Sequence, residues 1–332
     1  MTEDLTCLAL FSDLIVTPVT NKLFFLLAPN RINRIMRRRS FIAASSAIGL
    51  GSICALNPKA LAMLPKTGLG LQLWTVRNQM SEDKEATIKS VAEAGYSQVE
   101  LMDVVNSKDI AQLAKDNGIQ VKSAFFNWQT VVSPKADGVP SLQQVIDDAK
   151  TIGLEHLVFG YIGKSARDTS DKLKSICDSA NAAAEVAKAS GLSMCYHNHS
   201  FEFEKLDNGQ VGFEILMDRF DKELMRFELD VFWAAIGGWD PVETMAKLGT
   251  RVVQVHLKDL KAGVGTIYDE GQVPKDAFQE VGDGTIDMEK CVEIALKNGV
   301  TQFHVEQDES PDPLASIRQS LNYVASDLPK VR

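Results

Sequence analysis

Polar and apolar positions follow two alternating periods along most of the chain. A stretch with the 3.6-residue spacing of an amphipathic helix, rich in alanine and closed by glycine, gives way to a short apolar run, and the unit then repeats. Thus Ala92–Gly95 precedes Gln98–Met102, Ala114–Gly118 precedes Gln120–Phe125, and Ala149–Gly153 precedes His156–Phe159. Ala187–Gly191 precedes Ser193–His197, Ala246–Gly249 precedes Arg251–Leu257, and Ala295–Gly299 precedes Thr301–Glu306. Glycine suits the end of each helix because the closing residue commonly turns left-handed. Leu69–Trp74 and Arg226–Asp230 bring the predicted strands to eight. Helices are predicted between them, including Lys84–Ala94, Leu142–Thr151, Asp171–Ala189, Phe213–Phe220, Pro241–Leu248, Met288–Lys297 and Pro313–Ala325. Strand and helix in strict alternation call for a parallel sheet. Eight units predict an α/β fold, a (β/α)8 TIM barrel forming one domain over residues 66–328. The rival, a doubly wound sheet, lacks a G-x-G-x-x-G after the first strand.

The first 62 residues do not share this pattern. Arg37, Arg38 and Arg39 precede an uncharged run from Ile42 to Leu56, and Ala60-Leu61-Ala62 follows. A basic start, a short apolar stretch and an A-x-A exit read as a signal peptide, and the paired arginines point to the twin-arginine route and a periplasmic product. The run falls short of the roughly 20 residues that span a bilayer, so no membrane association is expected after cleavage. Met36 is an alternative start that would give a compact leader.

Charge narrows the partners. The chain carries 35 basic and 44 acidic side chains; residues 1–62 hold seven and three of these, leaving 28 and 41 and a formal charge of −13. Such a surface disfavours nucleic acid. Three cysteines remain, Cys177, Cys195 and Cys291, too few and too odd in number for a disulfide framework.

Barrels of this class carry their chemistry at the carboxyl ends of the strands. Of five histidines, four lie there: His197 and His199 after strand five, His256 in strand seven, His304 in strand eight. Strand six ends in Asp230, and strand eight runs into Glu306. One side chain from each of four neighbouring strands can converge, so His197, Asp230, His256 and Glu306 form a candidate ligand set for one divalent metal. Mixed nitrogen and oxygen donors suit Mn, Co, Zn or Fe(II) better than Ca. Each has a plainer alternative: Asp230 as a helix cap, His256 as a satisfied core histidine, Glu306 paired with a lysine.

Leu229-Asp230, Val255-His256-Leu257-Lys258-Asp259, Val305-Glu306 and the Tyr196-His197-Asn198-His199 segment resemble the strand-end motifs of the xylose-isomerase-like barrels, the sugar phosphate isomerase/epimerase superfamily. Gly282-Asp-Gly-Thr-Ile-Asp287 resembles a further loop of that family. The resemblance spans roughly residues 68–328 and implies a divalent metal held by an acidic residue on strand five, then Asp230, His256 and Glu306. The strand-five position departs from it, because His197 stands where many members have glutamate. The expected reaction is isomerase/epimerase-like. Epimerases of the family use two glutamates, so this change puts simple epimerisation in doubt and makes elimination or hydration, as in inositol-ketone dehydratase-like members, the alternative. The implied substrate is a small carbohydrate or keto-sugar. A metal polarises its carbonyl and a base removes the adjacent proton. Glu306 or His199 is the expected base and Lys258 the expected partner of an enolate or hydroxyl oxygen. Glu100 is expected on a sugar hydroxyl. Trp74 and Trp233, with Phe126 and Trp128, are candidates to stack on a sugar face. The competing readings are an endonuclease-IV-like repair enzyme, disfavoured by charge, and a non-catalytic sugar-binding barrel.

Overall fold

The computed structural model describes residues 69–326 and Leu328. The expected leader over residues 1–62, with its arginines and cleavage site, lies outside the described residues. Eight parallel strands close into a barrel. They are β1 (Leu69–Gln72), β2 (Gln98–Leu101), β3 (Gln120–Phe125), β4 (His156–Phe159), β5 (Ser193–His197), β6 (Met225–Asp230), β7 (Val252–Leu257) and β8 (Gln302–Val305). Each pairs with the next in the chain, and β8 pairs with β1 to seal the ring.

Strand ends shift slightly from expectation. β1 stops at Gln72 rather than Trp74, because the Gln72 side chain accepts from the Trp74 N–H and turns Leu73–Val76 into a 3-10 helix. A six-residue helix, Val231–Ile236, follows β6 without a loop. After β7, Asp259–Leu260 forms a small antiparallel ribbon with Phe278–Gln279. Asp259 organises that region, its carboxylate accepting from the backbone N–H groups of Leu260, Gly282, Gly284 and Ile286 at 2.9–3.1 Å. A β-carbon on Gly284 would sit 2.2 Å from Asp259 Oδ1, so glycine is required there. The Gly282–Asp287 segment is thereby docked under the end of β7.

Alternation along the strands sorts the side chains into two layers. Leu71, Val99, Leu101, Tyr196, Phe227, Leu229, Val255, Leu257, Phe303 and Val305 face outward and join the apolar core beneath the helices. Most intervening positions are polar, with Gln98, Glu100, Ser123, Glu228, Gln254, His256, Gln302 and His304 buried among the fewer apolar side chains of Phe125, Val158 and Cys195. Barrels of this class usually fill their interior with branched aliphatics. Here the interior is a hydrogen-bonded network, and the apolar core lies outside the strands.

Candidate metal centre

Strand register brings the candidate groups together. Asp230 on β6 and His304 on β8 lie directly opposite His256 on β7, while His197 on β5 lies opposite Glu228. Glu306 follows β8, and its N–H donates to Leu257 O at 3.1 Å, carrying the pairing one residue further and setting it beside Lys258.

Potential ligand atoms of His197, Asp230, His256 and Glu306 all lie within 4.8 Å of one another. His256 Nδ1 is 3.0 Å from Glu306 Oε2 and 3.9 Å from Asp230 Oδ2. The opposite ring nitrogen, Nε2, contacts Glu100 Oε1 at 2.7 Å and Glu228 Oε1 at 3.2 Å. Asp230 serves two purposes, one per oxygen. Oδ1 accepts from Trp233 N at 2.8 Å and caps the following helix, whereas Oδ2 is buried and accepts no hydrogen bond. Asn198 clamps its backbone, donating to Asp230 O at 3.2 Å and accepting from Asp230 N at 3.0 Å. The end of β5 thus fixes the end of β6.

Lys258 is buried among three carboxylates: Glu306 Oε2 at 2.7 Å, Asp308 Oδ2 at 2.9 Å and Asp230 Oδ2 at 3.2 Å. Burial opposes its charge, but Asp230, Asp308 and Glu306 outweigh that and hold its pKa above the usual lysine value. Burial would raise Glu306, yet Lys258 and His256 hold it well below the usual carboxylate range. Asp308 goes the other way, pushed up to about 6 by burial, with Lys258 only partly offsetting this. Burial likewise disfavours charge on His256, and Glu228, Glu306 and Glu100 reverse this, keeping it protonated well above its ordinary range.

These features fit a divalent cation. The donor set mixes imidazole nitrogen with carboxylate oxygen. Asp230 Oδ2 is buried and accepts no aligned hydrogen bond, with the Lys258 ammonium 3.2 Å away, so it keeps lone pairs for a cation. Five carboxylates (Glu100, Glu228, Asp230, Glu306 and Asp308) face one lysine and a histidine proton, so the cluster has room for positive charge.

The mouth above this cluster is aromatic. His199 is half-buried, stacked on Phe201 at 5.5 Å and close to Trp233 at 5.3 Å, His197 at 5.1 Å and Tyr161 at 5.7 Å. Burial holds His199 well below its usual pKa, hence neutral. Trp233 also lies under the Lys258 ammonium, 5.1 Å from ring centre to Nζ. Trp74 is 47% exposed, with the Arg77 guanidinium over its ring. Phe126 is buried against Phe159 and is a core residue, and Trp128 meets Tyr161 edge to face. Glu100 requires a correction. It is not at the mouth but fully buried under His256, accepting from Gln72 Nε2 at 2.8 Å and from the Ser123 hydroxyl. Its partners leave it supporting His256 rather than reaching a substrate.

Glu228 lies outside the expected site residues, although it shares a face with Asp230 by simple alternation. Glu202 lies outside them as well. That residue is buried, accepts from the Tyr196 hydroxyl at 2.7 Å and from His199 N at 2.9 Å, and ties down the loop carrying His199.

A profile of the xylose isomerase-like TIM barrel matches residues 88–326. The chain belongs to that family. An inosose dehydratase of Bacillus cereus is 24% identical over 279 residues, covering 76% of this chain and 92% of that protein. A sugar phosphate isomerase/epimerase from Parabacteroides distasonis has the same fold, with a TM-score of 0.64 at 23% identity over 80% of this chain and all of that one. A probable 3-DHS dehydratase from Bacillus anthracis superposes with a TM-score of 0.62 at 12% identity, over 78% of this chain and 99% of that one.

Proposed function

We propose that this protein is a metal-dependent enzyme that removes the proton next to the carbonyl of a small, unphosphorylated keto-polyol and expels a neighbouring hydroxyl, an elimination of water. The convergence of His197, Asp230, His256 and Glu306 beside a charged Lys258 carries this reading. Those four residues would hold the cation, which when bound supplies polarisation of the substrate carbonyl. Lys258, kept charged, is placed to stabilise negative charge on a substrate oxygen. His199 is neutral and half-buried at the mouth, and its buried Nδ1 has no hydrogen-bond partner, so it is the less engaged candidate base. Glu306 is the less available one, since its Oε2 is already engaged by Lys258 at 2.7 Å and His256 at 3.0 Å.

Elimination is favoured over epimerisation on simple proton accounting. Inverting a carbon requires a base on one face and an acid on the other. Dehydration can run with one imidazole: the proton leaves carbon for His199, the adjacent C–O bond breaks, and the same proton goes to the departing hydroxyl to make water. The curated relatives named as inosose dehydratases support this outcome, and the fold likeness to a sugar phosphate isomerase/epimerase supports epimerisation as the second reading. A free substrate is favoured because the other cations at the mouth already have carboxylate partners: Arg167 with Glu270, and Arg77 and Lys275 with Glu309. We further propose that the protein is exported.

The test is turnover of the manganese- or cobalt-loaded protein in deuterium oxide with an inosose and with free and phosphorylated ketohexoses, followed by NMR. Loss of a hydroxyl from the keto-polyol is expected. Clean epimerisation without water loss would establish the second reading. Saturable binding with no bond change would mean a sugar-binding barrel, and preference for the phosphate ester would remove the substrate assignment.

A further inference from the structure

Beneath the metal centre lies a carboxylate that the reaction itself does not use. Glu228 is completely buried at the middle of β6, two residues before Asp230. Its Oε2 is 3.3 Å from His197 Nδ1, and its Oε1 is 3.2 Å from His256 Nε2. We infer that Glu228 is a positioning residue for both histidine ligands, setting which nitrogen of each ring faces the cation. This rests on the metal-centre reading above.

The physical argument concerns tautomers. A neutral imidazole carries one N–H and one lone pair, and only the lone pair can bind a metal. A carboxylate behind a ring attracts the N–H to its own side and leaves the far nitrogen free. Glu228 stands behind two rings in opposite senses, at ion-pair distance from each rather than in an aligned hydrogen bond. His197 presents Nδ1 to it, which leaves Nε2 for the cation. His256 presents Nε2, so the proton that a bound cation would displace is the one on Nδ1, the nitrogen already facing Glu306 and Asp230. Glu100 backs His256 as well, at 2.7 Å, so the two rings differ in their dependence on Glu228.

Glu228 also belongs to a second group of potential ligands with Glu100, His256 and His304. Proton donors around it favour a buried anion over a second cation site. Gln254 Nε2 donates to Glu228 Oε1 at 3.1 Å. The Gln98 amide nitrogen lies 2.7 Å from His304 Nε2, which makes that nitrogen an acceptor and leaves the His304 proton on Nδ1, 3.8 Å from Glu228. One Glu228 oxygen thus accepts a hydrogen bond from Gln254, and the ring nitrogens of His197, His256 and His304 stand around the carboxylate at 3.2–3.8 Å, already placing partial positive charge beside it.

The experiment compares wild type with Glu228→Gln, using cobalt as the probe. Cobalt content, affinity and the visible absorption of the bound ion are measured, with circular dichroism to verify folding. An amide offers one acceptor oxygen where the carboxylate offers two, so one ring must lose its partner. The expected result is one cobalt per wild-type chain and about 10–100-fold weaker binding in the variant, with a changed spectrum. Unchanged affinity and spectrum would overturn the positioning role while leaving the metal centre intact. Two cobalt ions per wild-type chain, one of them lost in the variant, would make Glu228 a ligand and also overturn it. No binding to wild type would remove the metal-centre reading and this inference together. If the variant does not fold, nitrogen NMR of the zinc-loaded wild type decides: N–H on His197 Nδ1 and His256 Nε2 is expected, and the reverse assignment on either ring would refute the inference.

Discussion

Lys258 shows how one side chain is shaped by its surroundings at the residue scale. An isolated buried ammonium would shed its proton, but with carboxylate oxygens at 2.7, 2.9 and 3.2 Å it keeps its charge. Removing it has two separable effects. In Lys258→Ala the centre becomes more anionic, so metal content should equal or exceed wild type. The rate constant should fall by about 100-fold or more, since a preorganised charge beside the reacting oxygen is lost. His256→Ala and Glu306→Gln should instead bind metal more weakly. Elemental analysis beside steady-state kinetics separates the cases, and equal metal loss in all three variants would deny Lys258 its distinct role. These ligand variants also carry a folding cost. The barrel interior below the site is polar rather than aliphatic, so His256→Ala strands Glu100 and Glu228 without a partner they both contact.

Single contacts act through whole elements. The loop after β5 carries His199 and is tied to the barrel by Glu202, whose carboxyl is pushed up to about 7 from the usual 4.5 by burial, against the pull of the Tyr196 hydroxyl and the His199 N–H. A carboxyl raised in the folded state binds its proton more tightly there than in the unfolded chain. Its contribution to stability is therefore fully present below about pH 4.5 and is lost as pH rises through about 7. Glu202→Gln deletes this titration. Its stability relative to wild type should rise between those two pH values, as read from urea denaturation midpoints. Parallel curves for the two proteins would show that Glu202 does not titrate in this window. The register of β6, β7 and β8 belongs to the same scale: a slip of one residue would turn Asp230, His256 and His304 into the outer apolar layer.

At the scale of the whole molecule, the proposed export is compatible with the thiols. Cys177, Cys195 and Cys291 are buried and free, and burial pushes Cys177 and Cys291 up to about 12, far from the reactive thiolate. Among the described residues no helix is long and apolar enough to cross a membrane. Replacing Arg38 and Arg39 together by lysine should leave uncleaved precursor in the cytoplasm, whereas the native chain should be cut near Ala62. Fractionation and N-terminal sequencing would check both, and normal export of the double variant would exclude the twin-arginine route.

The sequence by itself determined the barrel, because each unit announces its own helix and strand through local periodicity and a helix-ending glycine; Gly95 and Gly153 adopt φ of 110° and 90°. It also determined that His197, Asp230, His256 and Glu306 end consecutive strands, which in a closed parallel barrel is enough to bring them together. Tertiary structure alone decided depth and orientation. Glu100 and Asp230 both stand near strand ends, yet one sits behind His256 Nε2 and the other faces its Nδ1 beside Lys258. Gln254 and Ser123 look like ordinary strand positions until closure of the barrel makes them neighbours across its interior. Local pattern specifies which face a side chain takes. Which partners it meets, and at what charge, depends on contacts between residues far apart in the chain and on their shared exclusion from water.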